Sequence, residues 1–360
     1  MTSFPLPPGS TIGVLGGGQL GRMLAEAASR LGFDVVVLER DADSPAGRVA
    51  VRTLVGAYDD AEALKALAEA ADVVTYEFEN VPAASLATLA ALGVEVAPGP
   101  KALAAAQDRV DEKTFLNAQG VATVAFAAAA TPAEAAAAVA KIGVPCLMKT
   151  RREGYDGKGQ RWVEHVADAE AVFVALGGRP VIVEAPADFV RELSVIAARG
   201  RDGAIAAYPL AENHHEGGIL RRSIAPARAS QALSDQAERI AAKVLAGLDY
   251  VGVVGIELFE LSDGRLLVNE IAPRVHNTGH WTQDGCEVDQ FEQHIRAVAG
   301  WPLAPARAIA QVEMLNLLGA EVDAWPKFAA EPETRIHLYG KRKAKPGRKM
   351  GHVNRVKPLR

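Results

Sequence analysis

The sequence predicts an α/β protein in three parts: a doubly wound N-terminal α/β domain, a central α+β domain and a small C-terminal β-rich domain. Three observations carry that prediction. The first hundred residues alternate short apolar runs with amphipathic stretches, the pattern of a parallel sheet with crossover helices. Pro98-Gly99-Pro100 then breaks the alternation and marks a boundary. Beyond it strands and helices mix around an Asp263-Gly264 hairpin, and from about residue 306 the chain is strand-rich. The parts are expected at residues 1–100, 101–305 and 306–360.

In order, Thr11–Leu15 reads as a buried strand, followed by Gly16-Gly-Gly-Gln-Leu-Gly21 and a helix to about Leu31. Asp34–Leu38 is the second strand and ends at Glu39. A G-x-G-x-x-G turn between strand and helix, with an acid about 20 residues on, matches a dinucleotide fingerprint. Its physics is narrower: backbone N–H groups and a helix N-terminus offered to a phosphate, whether of NAD or of a monophosphate. A helix near Asp60–Ala70, the strand Asp72–Tyr76, a helix over Ala83–Leu92 and the strand Val94–Ala97 complete the domain. Glu77 and Glu79 lie at a strand's carboxyl end, where a solvated loop and a ligand contact are both open readings.

In the second part, helices run through Asp108-Arg109 to Lys113 and over Thr131–Ile142, and the strand Gly143–Lys149 delivers a lysine. The loop Arg151–Gln160 holds three glycines, and Arg151, Arg152 and Lys158 join Lys149 around it. Glycine lets backbone approach a ligand, and the cations neutralise phosphate; the spacing is not that of a Walker A loop. Pro180–Glu184 and Val190–Ile196 are strands, Glu212–His215 a loop, and Ser230–Leu245 a helix. His214 and His215 are adjacent, so their side chains diverge, and no Cys or carboxylate completes a zinc set. A two-residue turn at Asp263-Gly264 pairs Ser262 with Arg265 and sets Glu257 opposite Glu270. Opposed carboxylates repel. They share a hard cation, or one stays protonated, or the register differs and both are solvated. Pro273–His280 then packs Arg274, His276, Asn277 and His280 into a loop expected to lie outside the core. A helix over Asp289–Val298 closes this part.

Composition excludes some functions. Charged residues make up 23% and hydrophobic ones 49%, as in an ordinary globular chain. No apolar run approaches bilayer length, and the first eight residues lack the charged and apolar regions of a signal peptide, so no membrane role is expected. Cys146 and Cys286 stand far apart without metal spacing, which suits a reducing, cytoplasmic setting. Residues 341–360 hold nine Lys or Arg and no acid, leaving thirty basic residues against all 44 acidic ones, a net of −14. A body that acidic is a poor nucleic-acid binder. The basic run therefore needs a local partner, and Pro346-Gly347 within it signals a turn presenting cations.

Glu257 with Asn269-Glu270 resembles the metal-binding carboxylates of the ATP-grasp enzymes, and Gly154–Gln160 is similar to their flexible glycine-rich loop. Ala272–Thr282 and the Pro-Gly-Arg-Lys-Met-Gly-His turn at 346–352 resemble the 5-(carboxyamino)imidazole ribonucleotide synthetases of purine biosynthesis. The similarity runs from Gly16 to about Val353. It departs at Gly17, where an asparagine is frequent, and at Glu153, where a second loop glycine is expected.

The resemblance implies a pre-ATP-grasp domain, an ATP-grasp domain and a small C-terminal domain, and an ATP- and bicarbonate-dependent carboxylation of 5-aminoimidazole ribonucleotide through carboxyphosphate. It implies that Glu257 and Glu270 hold Mg²⁺ and that Arg109, Lys149 and Lys158 neutralise the ATP phosphates. Gly154, Tyr155, Asp156, Gly157, Gly159 and Gln160 would cover them. Glu184, Ala185, Pro186 and Ala187 would line the adenine pocket, Glu192 would hold the ribose, and His215 and Asn269 would touch the nucleotide. Arg274 is implied as the clamp on carboxyphosphate, with Asp156 or His276 as proton acceptor. Gly18, Gln19 and Leu20 with Lys341, Arg348 and Lys349 would take the ribonucleotide phosphate, and Glu77, Tyr155, Arg274, His276 and Asn277 its remainder. A homodimer and hand-off of product to the downstream mutase are also implied. The rivals are a nucleotide-dependent dehydrogenase, a related ATP-grasp ligase such as a formate-dependent glycinamide ribonucleotide transformylase or a biotin carboxylase, and a non-catalytic nucleotide-binding regulator.

Overall fold

A computed structural model of the chain describes residues 3–154 and 157–359. Strands β1 (Thr11–Leu15), β2 (Asp34–Glu39), β3 (Arg52–Val55), β4 (Val73–Tyr76) and β5 (Glu95–Val96) form a parallel sheet in the order β3-β2-β1-β4-β5. Their unbroken apolar runs follow from burial on both faces: Val14, Leu15, Val37, Leu38 and Val73 are fully enclosed. Strand order reverses between β1 and β4, so the crevice of the domain opens where Gly16 and Glu77 leave the sheet. The helix Gln19–Arg30 turns Leu20, Met23, Leu24, Ala27 and Ala28 inward at helical spacing. The same helix packs against Gln290–Val298, and Arg30 pairs with Asp289 at 2.8 Å. This docks the N-terminal domain on the rest of the chain.

A second, antiparallel sheet orders β6 (Phe126–Ala129), β7 (Cys146–Thr150), β8 (Gln160–Val163) and β9 (Val181–Glu184) as β6-β9-β7-β8. The helices Pro132–Ile142, capped by Thr131, and Ala169–Ala175 share an apolar cluster with it. The third sheet has nine strands. They are β10 (Phe189–Arg199), β11 (Ile205–Ala207), β12 (Ala211–Glu216), β13 (Ile219–Ala225), β14 (Gly252–Leu261), β15 (Leu266–Ala272), β16 (Ala310–Leu318), β17 (Thr334–Leu338) and β18 (Lys349–Pro358). Their order is β15-β14-β10-β12-β13-β16-β18-β17, with β11 paired to β10. The C-terminal strands therefore prolong the central sheet through the β13–β16 ladder. Helix Gln231–Gly247 buries Leu233, Ala237, Ile240 and Val244 in the cluster that holds β10 and β14.

Three expectations are corrected, and one strand is unexpected. The β14–β15 turn is not a two-residue one: Leu261 bonds Arg265 and Gly264 takes a φ of 79°, so three residues form the loop. Asp263 stabilises it by accepting from the Arg265 N–H at 3.0 Å. That one-residue shift is undone by a bulge at Asn269, and Glu257 still faces Glu270. Glu212–His215 is not a loop but most of β12, because β10 and β13 satisfy its backbone on both sides. Pro273–His280 is not outside the core: Val275, Thr278 and His280 are buried, and Gln290 satisfies both backbone groups of His276 between them. The edge strand β3 carries no sequence signal, being four residues long with two exposed.

Gly264→Ala tests the loop. An added Cβ meets nothing within 4 Å, so the cost is conformational alone. Urea unfolding is expected to show a loss of about 1–2 kcal/mol.

Candidate active site

A cleft of about 760 Å³ opens where the three sheets meet. The N-terminal domain contributes Gln19, Leu20, Glu77 and Glu79; the β7–β8 hairpin contributes Lys149, Gly154, Gly157, Lys158 and Gln160. The large sheet adds Glu192, His215, Glu257, Asn269, Glu270 and, from β18, Lys349. Arg109, Arg274, His276 and Asn277 close the wall.

At its floor Glu257 and Glu270 face each other as register partners on β14 and β15. Arg109 Nη1 lies 3.3 Å from Glu270 Oε2, and His276 Nε2 lies 3.8 Å from Glu257 Oε1. Burial, and then the Glu270 charge, push the Glu257 carboxyl up to about 7. A carboxyl held partly protonated for want of positive charge, beside a second carboxylate and the Asn269 side chain, is an oxygen donor set that fits Mg²⁺. The described residues contain no group of three or more His, Cys, Asp or Glu able to hold a metal by themselves, so substrate oxygens or water would complete the shell. His215 Nδ1 is 2.8 Å from Glu192 Oε2; burial alone would lower its pKa, but Glu192 prevails and raises it.

The β7–β8 end of the cleft rests on buried ion pairs. Glu184 lies below the cleft, with Lys149 Nζ at 2.6 Å and Lys113 Nζ at 3.3 Å. Burial favours its neutral form, but Lys149 and Lys113 hold its pKa below the usual range. Lys113 also donates to the Asn269 carbonyl at 3.0 Å. Arg109 donates to the Gly154 carbonyl at 2.8 Å, tying the glycine-rich loop to the pair at the floor. Gly159 sits against Thr150 rather than in the cleft. Ala185, Pro186 and Ala187 line a smaller neighbouring cavity of about 450 Å³ beside Leu261–Asp263. Tyr155 and Asp156 lie outside the described residues.

At the opposite end the glycine turn already holds the protein's own carboxylates. Glu39 accepts from the Gly17 N–H at 2.7 Å and from the Tyr58 hydroxyl at 2.8 Å. Glu77 accepts from Gly18 and, at 2.7 Å, from Gly21. The acid that a dinucleotide's ribose would need is thus spent inside the domain. Gln19 and Leu20, in the first helical turn, keep N–H groups without an intrahelical acceptor. Arg274 pairs through Nε with Glu79; burial would raise that carboxyl, yet Arg274 holds it at about 2. Burial, then Arg274, drives His276 down to about 3, so it stands as a neutral imidazole with Nδ1 2.9 Å from Thr278 Oγ1. Asn277 directs a buried amide at the cleft with no partner among the described residues. Lys341 and Arg348 do not line the cleft: Lys341 donates to the Lys349 carbonyl at 2.7 Å and Arg348 to the Lys343 carbonyl at 3.1 Å.

Glu153 takes a left-handed φ of 64°, the conformation that favours the glycine expected there, and Arg179 pairs with its carboxylate at 3.2 Å. Among the cleft residues that escape sequence reasoning are Glu112, Phe259 and Leu147. Glu112 lies one turn beyond Arg109 on the helix Arg109–Ala118, as does the buried Lys113, a spacing that could have revealed both. Burial and Glu270 push Glu112 up to about 8. Phe259 follows Glu257 by two on the same strand face, and its ring stacks on Phe189 at 4.6 Å. Leu147 carries no such signal.

Models of three domain families match: the ribonucleotide synthetase preATP-grasp domain over 10–107, the ATP-grasp domain over 114–291 and the phosphoribosylaminoimidazole carboxylase C-terminal domain over 313–359. The chain is 49% identical over 360 residues to the N5-carboxyaminoimidazole ribonucleotide synthase of Brucella melitensis, covering 99% of each. It is 45% identical over 342 residues to that of Pseudomonas aeruginosa, covering 95% of this chain and 93% of the other. The N5-carboxyaminoimidazole ribonucleotide synthetase structure from Thermus thermophilus superposes with a TM-score of 0.91 at 44% identity, covering 96% and 93%. An Aspergillus clavatus synthase in complex with ADP and 5-aminoimidazole ribonucleotide superposes at 0.91 and 36%, covering 98% and 95%.

The Glu257 carboxyl makes a pH prediction. Its folded pKa lies above its unfolded value of 4.5, so the folded state is relatively favoured below that value and loses stability as pH rises through about 7. Without divalent cation, thermal midpoints from about pH 5 to about pH 8 should fall more steeply for the wild type than for Glu257→Gln. Adding Mg²⁺ with a non-hydrolysable ATP analogue should remove that difference.

Proposed function

The chain belongs to the N5-carboxyaminoimidazole ribonucleotide synthase family of ATP-dependent ligases, and from that premise we propose how its cleft carries out the reaction. ATP occupies the end between the β7–β8 hairpin and the large sheet. Arg109, Lys149 and Lys158 face its phosphates, Glu192 and His215 its ribose, and Ala185–Ala187 with Phe189 and Phe259 its base. The observation that carries the reading is the Glu257–Glu270 pair, two opposed carboxylates under one cleft that also reaches the Gln19-Leu20 turn and Lys349. Glu257 and Glu270 would hold Mg²⁺, which when bound neutralises charge on the β- and γ-phosphates. The domains divide the work as 1–100 for the ribonucleotide, 101–305 for ATP and 306–360 for the strands that present Lys349.

Bicarbonate oxygen attacks the γ-phosphorus and ADP leaves, giving carboxyphosphate. Arg274 suits the clamp on that anion, because Glu79 takes its Nε and the Val275 carbonyl its Nη1 at 3.1 Å, which fixes the plane of the guanidinium. Carboxyphosphate breaks to CO₂ and phosphate, and the exocyclic amine of 5-aminoimidazole ribonucleotide attacks CO₂. The amine's proton then departs. In a neutral His276 whose Nδ1 accepts from the Thr278 N–H, Nε2 carries the hydrogen and can only donate, so Asp156 or the departing phosphate is the better final proton acceptor. The ribonucleotide phosphate meets the Gln19 and Leu20 N–H groups and Lys349, and Asn277 meets the imidazole. We place the enzyme in the cytoplasm as a homodimer that hands its labile product to the downstream mutase. No helix among the described residues is long and apolar enough to cross a membrane.

The test is ADP release with Mg-ATP and bicarbonate, with and without 5-aminoimidazole ribonucleotide. Release that requires the ribonucleotide is expected, and release only with formate and glycinamide ribonucleotide would overturn the substrate. Glu270→Gln should lower kcat by roughly 10²–10³-fold while thermal unfolding stays near wild type. Retained turnover would remove the metal role.

A further inference from the structure

Two histidines singled out in the sequence, His280 and His352, have no part in the reaction above, yet both are fully buried. Their rings stack at 4.7 Å, and His352 stacks in turn on His337 at 4.5 Å with only 11° between planes. Every rung of this column is tied at its side. His337 Nε2 lies 2.7 Å from Asp284 Oδ2, and the Tyr339 hydroxyl lies 2.8 Å from His352 Nδ1. Asn354 Nδ2 donates to Asp284 Oδ2 at 2.6 Å and to the His280 carbonyl at 3.2 Å. At the inner end stands Gln290, wholly buried. It accepts from the His276 N–H at 2.9 Å and donates to the His276 carbonyl at 2.7 Å. Those two bonds fix which end of the amide is Nε2. That nitrogen is also 3.1 Å from His280 Nδ1, so Nδ1 accepts and His280 carries its hydrogen on Nε2.

The column starts on β18, three residues after Lys349, and ends on the backbone of His276. An apolar core would fill this space without burying so many polar groups, each of which needs a partner. We propose that His352, His280 and Gln290 are positioning residues that hold the catalytic loop at His276 in register with Lys349. The ribonucleotide is then gripped at its phosphate while its amine is aimed at CO₂. The proposal rests on the reading of the reaction given above.

The experiment compares wild type, His352→Phe and Gln290→Met. Three quantities are read: kcat, the separate KM values for the ribonucleotide substrate and for ATP, and the ADP formed per amine consumed. The phenylalanine keeps a stacking ring and loses the Tyr339 bond; the methionine keeps the volume of Gln290 and loses both clamps. A rise of about tenfold to a hundredfold in the ribonucleotide KM, or ADP outrunning carboxylation, with ATP KM within about twofold, is the expected result. His352→Gln, which returns a polar partner to Tyr339, should restore part of the loss. The idea is overturned if folded variants keep every kinetic constant and lose only thermal stability, or if both KM values rise together. If His352→Phe does not fold, His337→Phe at the more exposed end of the stack is read by the same measures. Ribonucleotide-dependent ADP release by the wild type is the control: its failure sinks the reaction, whereas a failed split in the variants sinks only the column.

Discussion

Two like charges facing each other in a buried cleft constrain everything around them. At the roughly 5 Å between opposed residues and an effective dielectric of about 20, the Glu257–Glu270 repulsion is about 3 kcal/mol, several times thermal energy. The hairpin cannot leave it uncompensated. Arg109 answers Glu270 from one side, and the rise in the Glu257 pKa answers with a proton from the other. A hard cation would do the same work better, since its charge would replace the proton. The surrounding positive groups follow from this arrangement. Arg109 also grips the Gly154 carbonyl, so the charge that stabilises the floor also seats the loop above it.

The N-terminal domain meets a different demand with the same chemistry. A glycine turn at a helix N-terminus attracts anions, and here Glu39 and Glu77 supply them from within. Glu77 is buried, and burial raises its pKa while the Gly21 and Gly18 N–H bonds oppose the rise. The turn is thereby braced without a ligand, and only its first helical residues face the cleft. A strand–glycine–helix–acid spacing can therefore arise where no dinucleotide binds, because the acid closes the turn instead of holding a ribose.

Legibility follows the range of the forces. Strands of the parallel sheet and the capped helices are readable because Val, Leu and Ile runs and residues such as Asp60, Thr131, Ser230 and Asp289 act on neighbours in sequence. The Glu257–Glu270 facing is predicted correctly on incorrect grounds, since a longer turn and the Asn269 bulge cancel. Neither is written in local propensity: the bulge places Asn269 where its carbonyl meets Lys113, 156 residues away. β12 and the 273–280 segment mislead for the same reason. Polar residues such as Asn213 or His280 signal solvent locally, and only partners such as Gln290 or a neighbouring strand turn them into interior ones.

The continuity of the large sheet explains how so dispersed a site stays in register. β14 with its Glu257 and β18 with its Lys349 belong to one nine-stranded sheet, joined through β10, β12, β13 and β16. Backbone ladders fix the spacing of such strands, so the carboxylate floor and Lys349 cannot drift independently. The glycine-rich loop belongs instead to the small sheet, which is tied to the floor through the Arg109 bonds and the Lys113–Glu184 pair. Relative motion therefore has one natural place, between the two sheets. There the hairpin can shift against the floor while Glu257 and Lys349 keep their separation.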